Sequence, residues 1–199
     1  MVLLIIRHGQ SEADLLGVHE GRADFPLTEL GHSQAKKMAK YVAEHFPPRI
    51  ILSSPLKRAK NTATILQDEI GCELKIELDL IEFNNGVLAG LTKEEALLKY
   101  PLPEGGRPPH IAIQNGESEL EFRFRAERIF HKIITEYQQF KRVAIVSHGG
   151  SISNFLKAFL NQSNHNEFKY ATGDTGMHLL EIRDHLRIVK FLNIQEHLV

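Results

Sequence analysis

Three short apolar runs, each followed by a stretch with helical spacing, constrain the fold of this chain more than any other feature. The runs are Val2 to Ile6, "RIILSS" at 49–54 and "RVAIVSH" at 142–148. Each is continuous rather than alternating, which is typical of a parallel strand covered on both faces. Because strands that alternate with helices form βαβ units, the pattern predicts an α/β fold with a mostly parallel sheet.

The helical stretches have apolar residues on one face. In residues 28–46 this face is expected to hold Leu30, Met38, Val42 and Phe46. In residues 53–70 we expect Ser54 to cap the helix and Pro55 to be its first residue. Two further helices are predicted, one beginning at Ser118 and one over residues 151–160.

Two other segments complete the predicted organisation. The runs 177–182 and 186–192 are separated by "RDH" and predict a hairpin at one edge of the sheet. Residues 83–116 are rich in proline and glycine, which favours an irregular cap over the carboxyl edge of the sheet. We therefore predict a single domain over residues 1–199, with 83–116 as its cap or insert.

Composition bears on the partners and the cellular compartment of the protein. The formal net charge is −1, which gives no overall attraction to nucleic acid or to an anionic membrane. Cys72 is the only cysteine among 199 residues, so a reducing compartment is expected. The first apolar run is too short for a signal peptide, and no run approaches the length that spans a membrane. We expect a cytoplasmic protein with no nucleic-acid or membrane partner.

Reactive and cationic residues follow all three predicted strands. The first strand leads to Arg7 and His8, and the second leads to a helix with Arg58 in its first turn. The third leads to His148 and then Gly149, where backbone N–H groups at a helix start can approach an anion. Parallel strands end at one edge of a sheet, and guanidinium groups suit phosphate oxygens. The three strand ends together predict a phosphate site.

These residues belong to a set of motifs that resembles the histidine phosphatase superfamily, also called phosphoglycerate mutase-like. The motifs "RHGQS", "EGRADFPLTELG", "SSPLKRAKNTA", "LIE", "GES" and "SHGG" occur in the order seen in that family. The resemblance implies a three-layer α/β/α sandwich. It also implies that His8 is the nucleophile that becomes phosphohistidine, that Arg7, Arg58 and His148 hold the phosphoryl oxygens, and that Glu82 is the proton donor.

The expected substrate-binding set extends beyond the catalytic residues. It adds Ser11 and Asp14, which follow the nucleophile, Arg22 in the next loop, and Gly149 after the third strand. Asp14 departs from the family pattern, which usually has asparagine there. A carboxylate close to a phosphate repels it unless it is protonated or paired, for which Arg22 or a lysine is a candidate. We expect this departure to weaken phosphate binding.

Several functions remain open at this stage. Hydrolysis of a small-molecule phosphomonoester is the first hypothesis, because the stretch from Glu82 to Glu117 is short for a cofactor-dependent mutase of this family. A phosphoglycerate mutase-type transfer and an inactive relative that binds a phosphorylated ligand are the alternatives. A metal site is disfavoured by the spacing of its candidate ligands, which are His8, Asp14, His19, Asp24 and His32. The mechanism needs no cofactor and no metal, and the sequence does not set the substrate or the oligomeric state.

Overall fold

The computed structural model describes residues 1–163 and 168–199. Its strands are β1 (Val2–Arg7), β2 (Ile50–Ser53), β3 (Glu73–Ile76), β4 (Arg142–Ser147), β5 (Met177–Arg183) and β6 (Leu186–Ile194). Its helices are α1 (Glu12–Leu16), α2 (Glu29–His45), α3 (Lys57–Ile70), α4 (Lys93–Lys99), α5 (Glu119–Glu136) and α6 (Gly149–Phe159).

The strands form one sheet in the order β3-β2-β4-β1-β5-β6. The pairs β3–β2, β2–β4 and β4–β1 are parallel, whereas β5 pairs antiparallel with both β1 and β6. The predicted α/β class and the mostly parallel sheet are therefore confirmed, as is the edge hairpin. Strand β3 was not predicted, because its four residues are largely exposed at the other edge and lack an apolar run.

Successive side chains of β1 point to opposite faces of the sheet, and each face is covered by a layer of helices. Leu3 and Ile5 pack with α5 and α6 on one face of the sheet, where Phe130 and Phe159 are fully buried. Leu4 and Ile6 face the opposite side, where the buried side chains of α2 and α3 include Met38, Val42, Ala59 and Leu66. A strand buried on both faces has to be apolar at every position, which is why its sequence is a continuous run.

The predicted apolar face of α2 was wrong by one position at its start. Leu30 is 54% exposed, whereas Met38 and Val42 are fully buried as expected. The buried face includes Gly31 and Ala35, which precede Met38 at helical spacing. Leu30 lies one residue, and therefore about 100°, away from that face.

The predicted start of α3 was also wrong. The helix begins at Lys57, and its N-cap is Leu56, which makes no side-chain capping hydrogen bond. The Ser54 hydroxyl instead lies 2.7 Å from His148 Nε2, within the site described below. The same hydroxyl accepts from Leu56 N–H at 3.4 Å, so it contacts the residue before the helix and not the first turn of α3.

Residues 83–116 are less irregular than expected. They contain a 3₁₀ turn at Gly86–Leu88 and the helix α4, whose N-cap Thr92 forms a capping box with Glu95. Leu88, Ala96 and Ile113 form a small core of their own. Backbone hydrogen bonds tie this segment to the loop before α2: His19 N–H donates to Leu91 O, and Gly90 N–H donates to His19 O. Among the described residues, no helix has the length and apolar character required to cross a membrane.

Candidate active site

The carboxyl ends of three neighbouring strands bring the predicted residues together. His8 N–H donates to Ser147 O at 3.0 Å, which fixes the end of β1 against the end of β4. The His8 and His148 ring centroids are 5.1 Å apart, and Arg58 Nε is 3.2 Å from His8 Nε2. The parallel register of β1, β4 and β2 therefore places two imidazoles and a guanidinium in one buried site.

His8 is held in one tautomer. Its Nδ1 lies 2.7 Å from Gly9 O, and since a carbonyl only accepts, Nδ1 carries the proton. Nε2 then has a lone pair, toward which Arg58 Nε–H points. Burial lowers the pKa of His8 well below 6.5, and the charges of Arg58 and Arg7 lower it further. A neutral imidazole with an unprotonated Nε2 is the form that can attack phosphorus.

The loop after His8 is packed backbone against backbone on the first turn of α2. A Cβ atom added to Gly9 would lie 2.5 Å from Gly31 O, and one added to Gly31 would overlap Gln10 O. Neither glycine has a positive φ, so close approach and not backbone conformation requires them. This contact holds the residues on either side of Gly9 in place.

The two arginines of the site are fixed by backbone carbonyls. Arg58 is fully buried, and its Nη1 and Nη2 donate to Ala23 O at 3.0 Å and Gly21 O at 2.7 Å. Burial lowers the pKa of Arg58, while the nearest carboxylates oppose that shift. Arg7 Nη1 donates to Thr172 O at 2.8 Å, and Arg7 Nε is buried with no hydrogen-bond partner in the described part of the chain. Both side chains are therefore oriented before a ligand arrives.

His148 occupies the turn from β4 to α6. Its Nε2 lies 2.7 Å from Ser54 Oγ, and its Nδ1 is buried without a partner among the residues described. Burial lowers the pKa of His148 well below 6.5, and Arg58 and His8 lower it further. The ring is thus neutral near pH 7 and has one nitrogen available to a ligand.

Glu82 lies at the start of α6, where the sequence predicted that helix N–H groups would meet the substrate. Its Oε2 accepts from Gly150 N–H at 2.9 Å, and its Oε1 accepts from Ser151 N–H at 3.1 Å and Phe83 N–H at 2.8 Å. The N–H groups of the first turn of α6 therefore hold the Glu82 side chain in one orientation. Gly149 and Gly150 still line the same cavity as Glu82.

Arg125 on α5 fixes the segment that carries Glu82, and sequence reasoning missed it. Arg125 Nη1 donates to Asp79 O at 2.8 Å and to Ile81 O at 2.6 Å. Its Nη2 donates to Glu82 O at 3.2 Å and lies 2.7 Å from Glu117 Oε1. One buried guanidinium thus binds three carbonyls and one carboxylate around the expected proton donor.

Asp14 is paired with Arg7, not with Arg22 or a lysine. Asp14 Oδ1 lies 3.3 Å from Arg7 Nη2, and Asp14 Oδ2 accepts from the Ser11 N–H and hydroxyl at 2.8 and 3.0 Å. Ser11 is fully buried and is the N-cap of α1, so its hydroxyl is already engaged within the capping box. Arg22 lies 3.2 Å from Glu117 Oε2 and donates to Glu82 O, which places it behind the donor residue.

Two further carboxylates lie close to these cations, and neither was predicted. Glu20 Oε2 is 3.1 Å from Arg58 Nε and 3.9 Å from His8 Nε2. Asp174 Oδ1 is 3.4 Å from Arg7 Nη1. Burial raises the pKa of both carboxyl groups, Arg58 opposes the shift at Glu20, and Arg7 opposes it at Asp174. Glu20 opens the motif "EGRADFPLTELG", which was the one sequence signal that pointed to it.

A cavity of about 280 Å³ opens beside these groups, and Arg58 and His148 lie behind the residues that line it. The residues that line it are Arg7, His8, Glu20, Glu82, Gly149, Gly150, Lys169, Tyr170, Ala171 and Thr172. The described residues hold no cluster of three His, Cys, Asp or Glu side chains placed to bind a metal ion. The cavity can accept a tetrahedral anion between the guanidinium of Arg7 and the lone pair of His8.

Comparison with known proteins identifies the relatives of this chain. A family model described as histidine phosphatase superfamily (branch 1) matches residues 3–195. Phosphoserine phosphatase 1 of Hydrogenobacter thermophilus is 28% identical, over 98% of this chain and 93% of its own length. A protein of Escherichia fergusonii named probable phosphoglycerate mutase GpmB is 32% identical, over 78% of this chain and 73% of its own length.

A solved structure has the same fold. The alpha-ribazole phosphatase from Shigella flexneri superposes with a TM-score of 0.89 at 24% sequence identity, and the match covers 98% of this chain and 97% of that one. At this identity the likeness bears on the fold alone.

Proposed function

The chain belongs to the histidine phosphatase superfamily, and we propose that it hydrolyses small-molecule phosphomonoesters through a phosphohistidine on His8. The observation that carries this proposal is the state of His8. Its Nδ1 proton is held by Gly9 O, and its Nε2 lone pair lies in a buried site beside the guanidinium of Arg58. Phosphoryl transfer requires in-line placement of the nucleophile and neutralisation of the phosphoryl oxygens, and this arrangement supports both.

In the first half of the proposed reaction, His8 Nε2 attacks phosphorus. The N–P bond forms as the ester P–O bond breaks, and the leaving alkoxide takes a proton from the Glu82 carboxyl group. Arg7, Arg58 and His148 neutralise or donate to the non-bridging oxygens. Four N–H and O–H groups hold the Glu82 carboxyl group in place at the edge of the cavity.

In the second half, water attacks the phosphohistidine. Glu82, now a carboxylate, accepts a proton from that water while the N–P bond breaks, which returns His8 to its neutral form and releases inorganic phosphate. The hydrogen bonds from Gly150 and Ser151 hold the carboxylate in the position that this step needs. Glu82 is thus the acid of one step and the base of the next.

The cavity supports a small substrate. Its volume of about 280 Å³ suits a phosphomonoester with a compact leaving group, and residues 83–116 begin next to Glu82, which lines the cavity and accepts a hydrogen bond from Phe83 N–H. We propose that this segment caps the site within a single domain, and that the protein acts in a reducing cytoplasm because its one cysteine, Cys72, is unpaired. Neither a cofactor nor a metal ion takes part in the proposed steps.

A mutase is the second candidate, because one relative is named a phosphoglycerate mutase. In that case a second substrate hydroxyl, rather than water, would take the phosphoryl group from His8. The two functions separate in one assay: a mutase interconverts 2- and 3-phosphoglycerate faster than it releases phosphate, and a phosphatase does the reverse.

The first experiment is phosphate release from p-nitrophenyl phosphate, with EDTA present, by the wild-type protein, His8→Ala and His45→Ala. His45 is an exposed histidine near the end of α2 and serves as the matched control. We expect turnover in the wild type and in His45→Ala, and none in His8→Ala. Quenching in alkaline detergent during turnover should trap a phosphoryl group on the wild type that later acid treatment releases and that is absent from His8→Ala.

Two results would contradict the proposal. Activity retained by His8→Ala would mean that His8 is not the nucleophile. A wild-type protein that binds phosphate but never carries the acid-labile group would favour the inactive, ligand-binding relative.

A further inference from the structure

Glu20 has one oxygen, Oε1, that forms no hydrogen bond within the described residues, while burial raises the pKa of its carboxyl group and the nearby Ser11 side chain lowers it. The Glu20 side chain lines the cavity and is 16% exposed, and its Oε1 is buried without a hydrogen bond, while Oε2 faces Arg58. A buried polar atom that lacks a partner costs free energy, so its retention beside the reacting nitrogen points to a ligand. The ligand of this cavity, on the proposed function, is a phosphoryl group.

The distance from His8 limits which part of that group Glu20 meets. Glu20 Oε2 is 3.9 Å from His8 Nε2, so the carboxyl group lies beside the nucleophile. In an in-line attack the leaving oxygen is on the far side of phosphorus, and the three other oxygens surround it. Glu20 therefore meets a non-bridging oxygen, whereas Glu82, which accepts hydrogen bonds from N–H groups at the start of α6, is the residue assigned to the leaving group.

An ionised Glu20 carboxylate would repel a phosphoryl oxygen placed against it. Glu20 is faced by Arg58 from α3, by Arg7 at the end of β1 and His8 after it, and by Asp14 from α1. Glu82 and Lys169 line the same cavity, and Asp174 lies on the other side of Arg7. A phosphoryl dianion offers acceptors alone, as does a carboxylate, so the two repel unless a proton lies between them.

Burial already disfavours the charged form of Glu20 before a ligand enters, because desolvation raises the pKa of its carboxyl group. Asp174 shares that direction, but it does not line the cavity and has no buried oxygen without a partner. A proton on Glu20 is therefore better placed than one on Asp174 to form a hydrogen bond with an anion in the cavity.

We propose that Glu20 binds the phosphoryl group as a neutral carboxylic acid, donating its proton to a non-bridging oxygen, so that a tetrahedral dianion is bound together with one proton. This inference rests on the proposed phosphate pocket. It makes Glu20 a substrate-binding residue whose contact is strongest in mildly acidic solution, and it separates the role of Glu20 from the acid and base steps of Glu82.

The test is calorimetric binding of sulfate, which stays a dianion through the neutral range and is not turned over. Titrations at mildly alkaline pH in two buffers of different ionisation enthalpy give the number of protons taken up. We expect about one proton per sulfate for the wild type and about none for Glu20→Gln, whose amide donates without a charge. The wild-type Kd should weaken by up to about tenfold per pH unit on the alkaline side, and that of Glu20→Gln should stay level.

Three outcomes would overturn the inference. The first is no proton uptake by the wild type, a result that needs no variant to fold. The second is equal uptake by the wild type and Glu20→Gln. The third is uptake that is lost in Asp174→Asn but kept in Glu20→Gln, which would assign the proton to Asp174.

Turnover gives an independent reading. On p-nitrophenyl phosphate, Glu20→Gln should lower KM more at alkaline pH than at acidic pH, whereas a merely structural role would change KM by the same factor at every pH. Sulfate binding with proton uptake but no hydrolysis of any phosphomonoester would refute the proposed function and leave the role of Glu20 intact. A wild type that binds no sulfate would refute both.

Discussion

Replacing Arg125 by methionine should destabilise the protein far more than replacing Arg128, although both arginines lie on α5 and both contact residue 79. Arg125 is 8% exposed and binds the carbonyls of Asp79, Ile81 and Glu82 as well as the Glu117 carboxylate. Arg128 makes a two-point ion pair with the Asp79 carboxylate, and its side chain is 55% exposed. The two substitutions therefore compare the loss of a buried cation with the loss of a solvated one.

The difference in magnitude follows from burial. Removing one partner of a buried ion pair costs about 3–5 kcal/mol, because it leaves the other charge uncompensated. Glu117 keeps Arg22 at 3.2 Å and Asn84 N–H at 2.8 Å, so we expect the lower end, about 3 kcal/mol. An exposed pair such as Arg128–Asp79 contributes about 0.2–1 kcal/mol.

The assay is urea unfolding followed by circular dichroism for Arg125→Met, Arg128→Met and the wild type. Arg125→Met/Glu117→Gln should recover part of the loss, since it removes the stranded charge. Below its unfolding transition, Arg125→Met should also lose about 10- to 100-fold in kcat, because the segment that carries Glu82 is no longer fixed. A loss of stability no larger than that of Arg128→Met, or an unchanged kcat, would refute the reasoning.

Three further outcomes follow from the structure. Asp14→Asn should raise kcat/KM for p-nitrophenyl phosphate by about 1.4- to fivefold, the range of an exposed ion pair of about 0.2–1 kcal/mol; an unchanged or lower value contradicts this. Burial lowers the pKa of His178 and of His197 from 6.5 to about 4, so the unfolded chain takes up these protons first as the pH falls. The free energy of unfolding should therefore be level above about pH 6.5 and decrease from there toward about pH 4 in urea titrations, and a level profile across that window would be contrary evidence. Tyr137→Phe removes the 2.5 Å hydrogen bond to Glu77 and should cost about 1–3 kcal/mol in the same titrations.

The sequence predicted the parts of the site that depend on strand ends. Arg7, His8 and His148 follow continuous apolar runs directly, and parallel register then forces such residues to one edge. The same reasoning failed at Ser54, which was assigned to helix capping, because the sequence does not show that an imidazole from another strand lies within 2.7 Å of its hydroxyl.

The residues that sequence reasoning missed reach the site through loops or from another layer. Arg125 lies in the middle of an amphipathic helix, where a charged residue is expected to be exposed to solvent. Its carbonyl partners are 43–46 residues away in the chain. Asp174 precedes β5 in a loop without a motif. Asp14 was predicted to need a cation, but its actual partner, Arg7, had been assigned to the phosphate.

The backbone contact between Gly9 and Gly31 restricts how this protein can change over generations. Any side chain at either position collides with the backbone of the other segment, so neither glycine can be replaced first and repaired by a later change at its partner. A tolerated substitution at either glycine has to shift the backbone at the start of α2 or in the loop after His8 at the same time. Both positions should therefore remain glycine, although they lie 22 positions apart in the chain.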